Sequence, residues 1–599
     1  MQGAGRLVER LNAWSERHWK LIVLLFWLGF AGYALFNKWG QIRGFALGDT
    51  DDNLRMAQVR ALLDGQGWHD LVQHRLDPAH GGANIHWSRL VDLPLAGLML
   101  ALRPFVGVAD AERWAAAIAP LLAYLPMLFG LALITRRLVD SRAVPLMLVA
   151  MIYAVSTTGM VQPLRIDHHG WQLALLALAL AGLADPGRRR GGIVTGLASA
   201  GSLAIGLELL IYLGLMGAAH VLFWVTDRDE RARLAAYAVS LSGGTAIAFL
   251  IFASTANRVA VCDALSPVWL GNALLGGALM VGLALVRVER WTLRLALAAG
   301  AGVVVVAFHA LGSPQCLTRL EGVSPEATRL WLSHVREARP IYRHGPQAVA
   351  LMLSLPIAAL IGYGLVAWRA RRHPDLLRRV VAVAVPAITA LVLLFWQTRT
   401  GPAAQMMAVP GAVAVAFILA PLAYHSSSAL VRIPGTLLAV LVGAGALVPL
   451  VVGELPGKPK TAAQRKVDLA NRTCPSLRAL APVARQPRGI VFSFVDLGPR
   501  IISVTKHDAI AGPYHRNDRA IADVMNAFRG DEAQARRIIA GDYGSHYLLV
   551  CPNMSTATIF QSETPNGFYM QLVRGRVPGW LIPVDLGANS PFLMWRVVR

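Results

Sequence analysis

Apolar runs near 21–37, 113–135, 143–158, 171–184, 191–205, 206–225, 234–254, 267–286, 291–311, 346–368, 380–396, 404–424 and 434–453 fill most of the first 453 residues. A backbone in lipid must satisfy its own N–H and C=O groups, so such runs cross a membrane as helices. Several are shorter than the roughly 20 residues a span needs, which leaves the boundaries soft. The fold class that follows is a polytopic α-helical membrane protein with about 13 transmembrane helices. Composition agrees: 55% of the 599 residues are hydrophobic and 15% are charged, against roughly 25% charged in a soluble domain. The net charge of +22 does not point to nucleic acid. Much of it sits in short loops between the runs, where arginine orients a membrane protein.

Those loops set the topology. Arg136–Arg142, Arg188–Arg190, Arg228–Arg233, Arg287–Arg294 and Arg369–Arg379 are basic, and so is the N-terminus (Arg6, Arg10, Arg17, Lys20). With the N-terminus inside, all five loops fall inside, provided that Leu90–Leu102 does not cross and lies on the outer face as an amphipathic or re-entrant helix. No small-residue cleavage site follows the first run, so it reads as a retained span rather than a signal peptide. Segments 38–112, 159–170, 255–266, 312–345 and 397–403, and everything beyond about 454, then lie outside. All four cysteines are among them. Cys262–Cys316 and Cys474–Cys551 are candidate disulfides in an oxidising compartment, with free buried thiols as the alternative. No metal-type spacing occurs among the cysteines. After the linker Pro456–Pro459, strand-like Gly489–Phe494 and Tyr547–Cys551 flank a helical pattern from Ile521 to Ile539. The domains expected are 1–453, in the membrane, and 454–599, a small outer α/β domain.

The same topology collects the unusual polar residues on one face. Gly48–Arg55 packs Asp49, Asp51, Asp52 and Arg55 together. Carboxylates that dense call for a cation, a proton-transfer role or a cationic substrate, unless the turn is simply solvated. In Arg165–Gly170, Asp167 and His169 are spaced to ligate one cation from a tight turn, with His168 turned elsewhere; a structural histidine pair is the alternative. Glu337 lies between Arg336 and Arg339, where a surface salt bridge would also suit it. Arg399 stands in a short loop, either as a snorkelling anchor or as a fork for phosphate oxygens. Glu208, near the outer end of a run, is costly there and defaults to function, or else to a pairing role. Pro513–Asn517, with His515, is polar and aromatic enough for a sugar or acceptor subsite, or is a plain loop. Three acidic groups, an imidazole and a phosphate-binding arginine on one face suit metal-assisted transfer from a phosphorylated donor.

These residues resemble the catalytic subunit of oligosaccharyltransferase, a GT-C glycosyltransferase, closest to the archaeal and bacterial single-subunit enzymes. Asp49 and Arg55 are similar to the family's first motif, an Asp six residues before an Arg, with Asp51–Asp52 where aromatics are usual. Gly82–Leu90 is similar to its Gly…Ile-x-Trp-Pro-Pro-Leu stretch without the Pro-Pro. Asp167-His168-His169 looks like the archaeal second motif, and Val335-Arg336-Glu337 like the outer-loop motif ending in a catalytic Glu. Arg399 falls where the family places an arginine on the donor phosphates. The sequon-reading Trp-Trp-Asp-Tyr-Gly finds only Phe494-Val495-Asp496-Leu497-Gly498, which keeps the Asp and Gly.

The resemblance implies a GT-C fold with a C-terminal periplasmic α/β domain in a bacterial inner membrane, N-terminus cytoplasmic. It implies Mn²⁺ or Mg²⁺ on Asp49, Asp167 and His169, catalysis by Asp49 or Glu337, and Arg399 on a polyprenyl-(pyro)phosphate sugar donor. The partners implied are that donor, membrane lipids, and an acceptor protein or glycolipid. A transporter or flippase of lipid-linked saccharides is the competing class. Transporters gather ionisable groups at the midplane between repeats, whereas here they gather at one face and no repeat is visible.

Overall fold

The computed structural model describes residues 13–318, 322–455 and 459–598. Arg6, Arg10 and the linker residues Pro456, Gly457 and Lys458 lie outside them. A helix covers each of the apolar runs. Among the described residues, eight helices are long and apolar enough to cross a membrane, and Ala429–Gly443 with Leu447–Glu454, bent by 95°, makes up to nine. Ser141–Tyr153, His169–Leu183 and Leu210–Thr226 are apolar but shorter. Length and composition therefore do not reach the expected thirteen spans. The chain is a multi-pass membrane protein.

Small residues let these helices approach closely. A Cβ added to Gly362, in helix Pro346–Ala370, would lie 1.7 Å from the carbonyl oxygen of Gly411, in helix Gly401–Tyr424. The stretch expected as a separate helix over 90–102 is instead the first limb of a longer one. That helix runs from Asp92 to Leu138 and breaks at Gly107, whose φ of 78° only glycine adopts readily. The limb before the break exposes Leu93, Leu100, Phe105 and Val106.

A hairpin of β1 (Val72–Gln73) and β2 (Ala83–Asn84) lies in the loop after the first helix. The C-terminal sheet domain holds β3 (Ile490–Phe492), β4 (Asp508–Ala509), β5 (Tyr547–Val550), β6 (Leu581–Pro583) and β7 (Leu593–Val597). Their order is β4-β3-β5-β7-β6, with β3 parallel to both neighbours and β7 antiparallel to both of its own. The helix expected over 521–539 is broken. Asp518–Arg529 ends where Gly530 turns extended, and Asp531 caps Glu532–Arg536 by accepting from the Gln534 N–H at 2.8 Å. Both candidate disulfides are formed.

The first loop and the sheet domain are built as one body. The Asp77 N–H donates to the Ala509 carbonyl at 2.8 Å, and the Ala509 N–H donates to the Arg75 carbonyl at 2.9 Å. Residues 75–77 thus extend the β4 edge. Arg75 also donates to the carbonyls of Ile502, Thr505 and His507, at the end of helix Gly498–Val504. Leu54, Leu76, Ile85 and Trp87 share a core with Phe494, Val495 and Tyr514.

Candidate active site

The site begins with a helix cap. Asp49 precedes helix Thr50–Leu63 in extended conformation and accepts from the N–H groups of Asp51 (3.0 Å) and Asp52 (3.3 Å). Asp52 returns the bond, accepting from the Asp49 N–H at 2.9 Å. This capping box satisfies orphan amides and fixes two carboxylates side by side, where the positive end of the helix favours them. A Cβ on Gly48 would lie 2.7 Å from Asp52 Oδ2 and 2.9 Å from Arg165 Cδ, so a larger residue there would push both side chains out of place.

The second wall is the turn before helix His169–Leu183. Leu164 holds a φ of 76°, and its N–H donates to the Ala116 carbonyl at 2.9 Å. The Asp167 N–H then donates to Asp52 Oδ1 at 3.0 Å, and Asp167 Oδ1 accepts from the His169 N–H at 3.0 Å. One oxygen each from Asp49, Asp52 and Asp167 lie within 4.8 Å of one another. Among them sits the guanidinium of Arg165, paired with Asp49 and Asp167 and 3.7 Å from Asp52.

Electrostatics mark this cluster as short of positive charge. Burial opposes the charge of Arg165, yet Asp167, Asp52 and Asp49 hold it protonated well above its ordinary range. Burial likewise opposes ionisation of Asp167, but Arg165 holds its carboxyl low. Asp52 and Asp51 are pushed well up, by burial and then by Asp49. One guanidinium does not neutralise four carboxylates.

The other expected residues divide. His169 supplies no ligand atom to the three-oxygen group, and Asp52 takes the third corner. His168 is buried, and its Nε2 donates to Glu208 Oε1 at 2.9 Å, with Gln172 on Oε2 at 2.5 Å. Glu208 lies not inside a span but in the break between helices Arg188–Ile205 and Leu210–Thr226. Burial opposes its charge, yet His168 holds its carboxyl well below the usual range. Arg55 turns away from the cluster. It is fully buried, bonds Asp92 Oδ1 at 2.7 Å and stacks on Trp87 at 5.0 Å. Glu337 is 66% exposed, with Arg399 3.9 Å away, and its charge reaches Asp51. The two meet because the Thr398 N–H donates to the Arg339 carbonyl at 2.9 Å. Asp496 is occupied, accepting from the Thr556 hydroxyl at 2.7 Å.

Sequence reasoning passed over Arg165, though it opens the Asp167 turn, and took Tyr514 only as part of the 513–517 loop. The Tyr514 hydroxyl donates to the Thr50 carbonyl at 2.9 Å, and its ring meets Trp87 edge-on. Burial, then Asp51, pushes its phenol well up. Asp263 was also passed over. It accepts from His515 Nε2 at 2.6 Å and takes a bidentate bond from Arg516 at 2.7 Å. His515 thus faces Asp263 rather than the three-carboxylate group.

No protein-family model and no curated protein sequence matches this chain. Solved structures do. Archaeal oligosaccharyltransferase AglB from Archaeoglobus fulgidus, in complex with an inhibitory peptide and a dolichol-phosphate, superposes with a TM-score of 0.63 at 15% identity, over 90% of this chain and 70% of that one. The fold is the GT-C fold. The same archaeal protein tethered to an acceptor peptide with the NVT sequon gives a TM-score of 0.61 at 16% identity, over 90% and 69% of the two chains. Its complex with Zn and sulfate gives 0.54 at 16%, over 84% and 64%. With a GT-C architecture, the carboxylate group stands at the helix ends, beside the C-terminal sheet domain.

Proposed function

We propose that this GT-C protein moves a sugar or oligosaccharide from a polyprenyl-(pyro)phosphate donor to an acceptor at the outer face of the bacterial inner membrane. In this reading residues 1–453 are the membrane catalytic unit and 454–599 the periplasmic domain. The observation that carries it is the convergence of Asp49, Asp52 and Asp167 on one point, with the charge of Glu337, 3.9 Å from Arg399, reaching Asp51.

The residues fit a divalent cation. Three hard carboxylate oxygens within 4.8 Å suit Mg²⁺ or Mn²⁺, and the Arg165 guanidinium already stands among them as a cation. Asp49, Asp52 and Asp167 would hold the ion, which when bound supplies charge neutralisation at the leaving phosphate. Arg399 offers a planar fork to the donor phosphates. Asp49 or Glu337 orients or deprotonates the acceptor, and Tyr514 and Trp87 wall the cluster on the side of the sheet domain. The archaeal relative's dolichol-phosphate supports a lipid-linked donor. For the acceptor, a glycolipid or polysaccharide is favoured over a protein asparagine, because Asp496 is engaged by Thr556 and its neighbouring tryptophans are absent.

The test is transfer of label from lipid-linked sugars in membranes carrying wild type or Asp167→Ala, with Mn²⁺ titrated against EDTA. A labelled product with wild type and metal alone supports the reading, and its solubility identifies the acceptor class. Loss of donor from one leaflet in both variants, with no product, replaces it with flipping.

A further inference from the structure

The chain carries a second constellation of ligating side chains, separate from the three carboxylates. His86 comes from the first loop, Asp263 from the loop after helix Arg231–Phe252, and His515 from the sheet domain. One ligand atom from each lies within 4.8 Å of the others. The imidazoles of His86 and His515 are 4.4 Å apart between centroids, tilted by 50°. Each of the three is partly buried.

The surroundings hold these groups in place. Cys262, next to Asp263, is bonded to Cys316, and its carbonyl accepts from Trp269 Nε1 at 2.9 Å, so the loop cannot swing away. Arg516 grips both oxygens of Asp263 at 2.7 Å, as a supporting partner orients a metal-ligating carboxylate. On the other side, His86 packs its ring against Trp87 at 5.2 Å. Among the described residues, its ring nitrogens take no hydrogen bond.

We propose that His86, Asp263 and His515 bind a divalent transition metal of the zinc class and so fasten the first loop, the 253–266 loop and the sheet domain together. Two imidazoles and one carboxylate are the nitrogen-rich donor set that Zn²⁺ and Co²⁺ prefer, with a fourth position for water. The all-oxygen group around Asp167 is the harder site. An ion here takes the place of the hydrogen bond between His515 Nε2 and Asp263.

The test uses full-length protein in nanodiscs, stripped with EDTA and titrated with Co²⁺, whose visible absorption reports nitrogen ligation. Wild type develops the band, and Asp167→Asn keeps it. His86→Ala and His515→Ala lose it, with affinity falling by more than the roughly 10–100-fold that loss of a mere supporting partner costs. Zn²⁺ raises the melting temperature of wild type and not of His86→Ala. His86→Ala leaves the Asp263–Arg516 pair intact, so in EDTA it melts with wild type. No band in wild type, an unchanged band in both histidine variants, or equal melting losses for His86→Ala with and without Zn²⁺ would overturn the site and leave an ion-pair clamp.

Discussion

The helix His169–Leu183, about 22 Å long at 1.5 Å per residue, has Asp167 just before its first turn and Asp185 just after its last. Both aspartates are almost fully buried, and both pair with arginine, yet the two ends are built on opposite balances. Asp185 bonds Arg137 at 2.7 Å, Arg190 at 2.8 Å and the Gly187 N–H at 2.8 Å, while the Arg233 guanidinium donates to its carbonyl. Burial opposes its charge, but Arg190 holds its carboxyl low. That carboxylate is saturated by cations and offers nothing to a ligand. At the Asp167 end, Arg165 serves three carboxylates at once. Density of charge is alike at both ends. What separates a fastening from a site is which sign is left over.

The largest expected effect breaks this contrast from the Asp167 side. Asp167→Asn lowers sugar transfer by about 100-fold or more, the range seen when one group serving transition-state charge is removed, while circular dichroism and melting temperature change little. Arg165→Gln is next. It removes the built-in cation, so the variant melts below wild type in EDTA, and Mn²⁺ closes the difference. Equal melting of the two proteins in EDTA would mean that the carboxylates are balanced without Arg165. Asp185→Asn reverses the pattern, destabilising the protein by about 2 kcal/mol through stranded buried arginines, with transfer per folded molecule unchanged. The smallest effect concerns Asp496. Burial pushes its carboxyl up from 3.8, so its ionised form is a cost at neutral pH. A group raised in the folded state contributes most below its unfolded value and loses that contribution as pH rises through the folded one. Asp496→Asn therefore raises the melting temperature at pH 7, and the gain vanishes below about pH 4. A gain that persists in acid would assign it to packing.

Much of this was legible in the sequence because two signals are local. Apolar runs announce helices, and every run carries one. Asp49 and Asp167 stand at helix starts, where short polar side chains cap. The six-residue Asp–Arg spacing misled in detail. At about 100° per residue, Arg55 falls some 240° round the helix from Asp49, and there it meets Asp92 and Trp87. His169, inside the first turn, lends its backbone N–H to Asp167. Arg165 carried no local signal for its part in the cluster, because its partner Asp49 lies 116 residues away. Asp263 had no local signal beyond its neighbour Cys262. Its partners are 252 and 253 residues away.

The strand-like pairing of residues 75–77 with the β4 edge bears on the order in which a ribosome can finish this protein. Arg75 and Asp508 are separated by 433 positions. During synthesis the early loop must therefore stand with its backbone unmatched until 433 further residues have followed. Tyr514, which anchors to Thr50 beside the carboxylates, arrives in the same late stretch. The pocket is closed by a stretch made 464 residues after Thr50, so a nascent or truncated molecule holds the acids without the wall that shapes them.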